Sequence, residues 1–123
     1  MLKKILLIED DTHFMDLMSF VLEEAGFQIA KATTGGSLRQ VQELQPMLIL
    51  MDNQLKDGFG YHFCRAFKGN PLTAHFPLVL LSANSDLKQI ALENGADAFL
   101  EKPFDILDLI DLANRFCGMS GAD

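Results

Sequence analysis

Three runs constrain this chain more than anything else in it: residues 5–8 (ILLI), 48–51 (LILM) and 78–81 (LVLL) contain no polar position. Each is too short to be an all-round buried helix, and none alternates as a strand with one wet face does. Each therefore reads as a β-strand covered on both sides, as in a parallel sheet packed between helices. Two further strand-like stretches, 27–32 and 98–100, accompany them. The first carries Gln28 and Lys31 and reads as an edge strand.

The segments between these strands have helical periodicity. Residues 12–25 place Phe14, Leu17, Met18, Val21 and Leu22 on one face, and Gly26 follows as a glycine does just past a helix end. Further helices are expected over 36–45 (ended by Pro46), 58–68 (ended near Asn70-Pro71), 86–94 (closed by Gly95) and 104–116, the last with Leu107, Ile110 and Ala113 inward. Strands cover 4–8, 27–32, 47–51, 78–81 and 98–100. Five β–α units imply an α/β, doubly wound (βα)5, flavodoxin-like fold. Strand order 2-1-3-4-5 puts the three apolar strands at the centre.

The 123 residues suit one compact core, expected over 1–118 with a short tail at 119–123. No apolar run approaches the roughly 18 residues of a membrane span. MLKKILLI starts like a secretory leader, but Glu9 ends the apolar run too early, so a cytoplasmic location is expected. Ten basic residues stand against seventeen acidic ones, a net charge of −7, which argues against nucleic-acid binding by this domain. Cys64 and Cys117 lie in helical patterns without CxxC spacing and read as buried free thiols.

Polar residues gather where the strands stop. Glu9 and Asp10 follow strand 1, Asp52 follows strand 3, Ser82 follows strand 4, and Glu101 and Lys102 end strand 5. In a parallel sheet these ends share one edge, and ligands bind there where the strand order reverses, between strands 1 and 3. Glu9, Asp10 and Asp52 should therefore converge. Three crowded carboxylates shift up in pKa unless a cation neutralises them. Mg²⁺, which takes one or two carboxylates and keeps waters for a phosphate, is the natural partner. Ser82 and Lys102 add a hydroxyl and a positive charge, which together equip the edge for a phosphoryl group.

LLIEDD, LILMDNQLKDGFG, PLVLLSA and GADAFLEKPF, in that order, resemble the receiver domain of two-component response regulators over essentially the whole chain. The resemblance implies that Asp52 accepts a phosphoryl group from a histidine kinase or phosphotransfer protein. Glu9, Asp10, Asp52 and the Gln54 backbone carbonyl would hold Mg²⁺. Lys102 would pair with a phosphoryl oxygen, Ser82 would bond the phosphoryl group, and Phe99 would be the switch aromatic. It further implies a cis Lys102–Pro103 bond and a helix 4–strand 5–helix 5 surface read by an output partner or domain. The protein would be a phosphoacceptor and not a turnover enzyme, either a monomer or a phosphorylation-linked dimer. Lys56 stands where the family often has proline, Phe59 where an acid is common, and Phe99 where tyrosine is common.

Other features have plainer readings. Asp11 suits a helix cap, with Thr12 as a competitor. Gly58–Gly60 lacks the third glycine of GxGxxG and reads as a turn. His13, His62 and His75 lack metal-ligand spacing, and Asp105, Asp108 and Asp111 form a solvated helix face. A haloacid-dehalogenase-type phosphatase would share the fold class, but its nucleophilic aspartate position holds Glu9 here. A degenerate receiver would lack one of the acids or the lysine, and all are present.

Overall fold

The computed structural model describes residues 3–33 and 38–117. In chain order the elements are β1 (Lys4–Ile8), α1 (Thr12–Glu24), β2 (Gln28–Ala32), α2 (Leu38–Leu44), β3 (Leu48–Asp52), β4 (Gln54–Leu55), β5 (Gly58–Phe59), α3 (Gly60–Lys68), β6 (Leu78–Ser82), α4 (Leu87–Asn94), β7 (Ala98–Glu101) and α5 (Ile106–Cys117). Five strands form one parallel sheet in the order β2-β1-β3-β6-β7. With the β4–β5 ribbon set aside, this is the expected 2-1-3-4-5 order. The three wholly apolar runs are the central strands, and β2 and β7 are the edges.

Alternation along the central strands divides the core in two. Ile5, Leu7, Leu48, Leu50, Val79 and Leu81 pack toward α1 and α5, against Met18, Leu22, Leu109 and Ala113. Leu6, Ile8, Ile49, Met51, Leu78 and Leu80 pack the other way, toward α2, α3 and α4, against Val41, Cys64, Phe67, Leu87 and Ala91. The continuous apolar runs thus serve two helical layers at once, as a strand covered on both faces must. Cys64 and Cys117 are buried free thiols, and burial pushes both up to about 11. The Lys102–Pro103 bond is cis.

Two helix faces differ from expectation. In α1 the buried positions are Met15, Met18, Ser19 and Leu22, while Leu17 is exposed. Seven of its residues are apolar, so the sequence offers more than one stripe, and the sheet selects the one that includes Met15. In α5 the buried stripe is Leu109, Leu112, Ala113 and Cys117, so Leu107 points to solvent. Leu107 lies two residues, about 200° of helix, before Leu109. The helix expected from residue 58 starts at Gly60, because Gly58–Phe59 pair antiparallel with Gln54–Leu55. Residues 36 and 37 of the expected second helix and the 119–123 tail lie outside the described residues.

Ser19 carries the one buried side-chain polar atom without a hydrogen-bond partner among the described residues. An unsatisfied buried hydroxyl opposes folding. Ser19→Ala is expected to stabilise the protein by about 1 kcal/mol, read as a higher urea midpoint at unchanged m-value.

Candidate functional site

Sheet register brings the site together. Ile8 pairs with Met51, so one residue further on Glu9 stands beside Asp52. Period-two alternation sends both side chains toward the α1/α5 face, as it does Leu7 and Leu50. Both acids are almost wholly enclosed, at 1% and 6% exposure. Lys102 reaches them from the end of β7, where its N–H donates to the Ser82 carbonyl at 2.8 Å. Its ammonium donates to Glu9 Oε1 at 3.2 Å and to Asp52 Oδ1 at 3.1 Å. The Phe14 ring lies 4.2 Å from the same nitrogen, and Phe104 meets Phe14 edge-on at 5.9 Å. Lys102 is thus held between two carboxylates and an aromatic face.

Asp10 completes the group. One oxygen from each of Glu9, Asp10 and Asp52 lies within 4.8 Å of the others. Asp10 Oδ2 accepts a hydrogen bond from the Lys56 N–H at 2.6 Å. Asp11 separates from the cluster as expected. Its carboxylate caps α1, accepting from the N–H groups of His13 at 3.1 Å and Phe14 at 3.2 Å. Its own N–H donates to Glu9 Oε2 at 3.1 Å, so the cap also fixes Glu9.

The electrostatics are those of an undercompensated site. Burial pushes the Asp52 carboxyl up. Lys102 and a hydrogen bond from the Gln54 N–H oppose this, and Asp10 reinforces it. Glu9 is likewise raised, chiefly by burial and further by Asp52, against the Asp11 N–H and Lys102. Three carboxylates face one ammonium, and hard, closely spaced oxygen donors suit a divalent cation such as Mg²⁺.

The other expected residues surround this centre. Ser82 is buried at the end of β6, and its Oγ accepts from the Asn84 N–H at 3.0 Å. Gln54 touches the site through its backbone, with its side chain exposed. Phe99 is half-buried on β7, packed against the α2–α4 side of the core. His13, His62 and His75 take no part in the acidic cluster.

Two positioning residues escaped the sequence reading. Asn53 is buried, and its Oδ1 accepts from the Tyr61 N–H at 3.0 Å. It thereby caps α3, whose own N-cap residue, Phe59, makes no side-chain cap bond. Gly60 donates its N–H to the Asn53 carbonyl at 2.7 Å. A Cβ at Gly60 would fall 2.5 Å from the Asp52 carbonyl oxygen, so only glycine fits beside Asp52. Phe59 at the cap position of α3 is the sequence feature that calls for a substitute cap such as Asn53, whereas Gly58–Gly60 carries in sequence only the signal of a turn.

Residues 5–114 match the family model for the response regulator receiver domain. The chain belongs to the response regulator receiver-domain family. This receiver domain is 35% identical over 111 residues to the transcriptional regulatory protein GltR of Pseudomonas aeruginosa, covering 88% of this chain and 46% of GltR. It is 35% identical over 113 residues to the phosphate regulon transcriptional regulatory protein PhoB of Escherichia coli, covering 89% of this chain and 49% of PhoB. The chain spans about half the length of these relatives. Among solved structures it is similar to the receiver domain of a signal transduction histidine kinase from Syntrophus aciditrophicus. The two are 32% identical with a TM-score of 0.82, over 98% of this chain and 92% of that one. It is also similar to the receiver domain of sensor histidine kinase PA1611 from Pseudomonas aeruginosa, at 25% identity and a TM-score of 0.83, over 94% of this chain and 98% of that one. That structure has a magnesium ion coordinated in its active-site cleft.

The raised Asp52 carboxyl has a thermodynamic consequence. A carboxyl whose folded-state pKa lies above its unfolded value opposes folding while ionised. The opposition disappears as pH falls through the folded value toward the unfolded one. Asp52→Asn, without added divalent ions, is expected to melt above wild type at pH 7. The gap should narrow as pH drops into the carboxylate range. Calorimetry across pH 4–7 checks this.

Proposed function

We propose that this receiver domain accepts a phosphoryl group on Asp52 from a phosphohistidine of a histidine kinase or phosphotransfer protein. The observation that carries this is the convergence of Glu9, Asp10 and Asp52 around the Lys102 ammonium at the sheet edge. In the transfer the phosphorus–nitrogen bond of the donor breaks as a bond forms from phosphorus to an Asp52 carboxylate oxygen. The imidazole leaves with the bonding pair. Glu9, Asp10, Asp52 and the Gln54 main-chain carbonyl would hold Mg²⁺, which supplies charge neutralisation of the phosphoryl oxygens when bound. Lys102 pairs with one phosphoryl oxygen, exchanging part of its present bond to Asp52 for it. The domain supplies positioning and charge. It is a phosphoacceptor and not a turnover enzyme.

The phosphorylated state is read elsewhere on the surface. Ser82 turns its hydroxyl from the Asn84 N–H to the phosphoryl group, and Phe99 moves inward into the space released. Phenylalanine makes no hydrogen bond there, so packing alone favours the inward position. This biases the surface of α4, β7 and α5 between two states, which an output partner or domain distinguishes. The protein works in the cytoplasm, as a monomer or as a dimer formed on phosphorylation.

Incubation with acetyl phosphate and Mg²⁺ should add one phosphoryl mass to the wild type and none to Asp52→Asn. An unmodified wild type, or equal modification of the variant, would contradict the reading. Lys102→Ala is expected to accept phosphate slowly and to lose the amide shift changes in α4 and β7 that accompany phosphorylation of the wild type.

A further inference from the structure

The β4–β5 ribbon has no role in the main sheet, yet it places one backbone group at the acidic cluster. Leu55 is buried in the α2–α4 side of the core and anchors the ribbon. Lys56 follows it at the tip, between Gln54–Leu55 and Gly58–Phe59. There its N–H donates to Asp10 Oδ2 at 2.6 Å, while its side chain is exposed. Glu9 and Asp52 share the Lys102 ammonium, and Asp10 takes its hydrogen bond from this N–H instead. The same ribbon carries Gln54, whose N–H bonds Asp52. One two-stranded element therefore fixes two of the three clustered carboxylates.

We propose that the Lys56 backbone N–H is a positioning group for the divalent-cation site, holding the Asp10 carboxylate by Oδ2 so that Oδ1 is presented to the ion. This rests on the metal reading given above. A half-buried carboxylate on a loop is free to rotate, and a fixed donor removes that freedom before the ion arrives. Outer-sphere donors of this kind are typically worth about 10- to 100-fold in metal affinity. The group that acts is the peptide N–H, so any residue except proline supplies it. The lysine side chain is exposed and takes no part in that bond.

The test separates the N–H from the charge. Mg²⁺ affinity is measured by isothermal titration for the unphosphorylated wild type, Lys56→Ala and Lys56→Pro, with circular dichroism to verify the fold. Lys56→Ala keeps the N–H and should bind Mg²⁺ as tightly as wild type or more tightly. Lys56→Pro removes it and should weaken binding about tenfold. Equal affinity for the proline variant and wild type, or equal weakening in both variants, overturns the proposal. A second measurement does not depend on the proline variant folding: amide hydrogen exchange at Lys56 in metal-free protein. The amide should be protected in wild type and released in Asp10→Ala. A wild-type Lys56 amide that exchanges freely overturns the positioning role. If wild type shows no saturable Mg²⁺ binding while the Lys56 amide is protected, the metal reading fails and the hydrogen bond stands.

Discussion

A single ammonium sits between two buried carboxylates, and the organisation of the sheet edge follows from that shortage of positive charge. Lys102 lies within hydrogen-bonding distance of both Glu9 and Asp52, with Asp10 close by. Burying charges without full compensation opposes folding, and a group in that position gains most from an added cation or a change of protonation. Burial raises the Glu9 and Asp52 carboxyls, and Lys102 offsets that rise only in part. Three clustered carboxylates beside one ammonium leave two negative charges uncompensated, a set of donors that suits a divalent ion.

The rest of the fold keeps that cluster from relaxing. Glu9 and Asp52 extend from adjacent central strands whose next residues inward are fully buried, so neither backbone can retreat. Asp11 caps α1 and bonds Glu9 at once. Asn53, the residue after Asp52, is bonded to the start of α3, and Gly60 lets the two backbones touch. Lys102 directly follows β7 and is tied to Ser82, which links the ammonium beside Asp52 to the strand that bears the serine. These hydrogen bonds are worth about 1 kcal/mol each between neutral groups and about 1.5–3 kcal/mol where a carboxylate accepts. Their effect lies in fixing geometry, since a site that acts by charge and position depends on where its groups are held.

Most of this was legible because the signal was of the right length. Four-residue apolar runs fix central strands, and the polar residue that ends each run has one place to go in a parallel sheet. Glu9, Asp10, Asp52, Ser82 and Lys102 could therefore be named from order alone, and register brings the three acids and Lys102 into contact. The helix faces were less legible. With Phe14, Met15, Leu17, Met18, Phe20, Val21 and Leu22 all in α1, period 3.6 does not choose between neighbouring stripes, and the sheet makes the choice. The β4–β5 ribbon has two-residue strands, too short to carry any period. Asn53 acts across eight residues on a helix whose own cap position is phenylalanine. Lys56 contributes a peptide N–H, which no side-chain pattern records.

In the proposed cation site, convergence of Glu9, Asp10 and Asp52, and not the overall charge of −7, would hold the ion. Substoichiometric Mn²⁺ added to isotope-labelled protein tests it most directly, because paramagnetic broadening falls off steeply with distance from the ion. Early loss of the amide signals of residues 9–11, 52–54 and 102 is expected, while the exposed acidic stripe at Asp105, Asp108 and Asp111 stays sharp. Broadening that begins on α5, or that spreads evenly over the acidic surface, would contradict it.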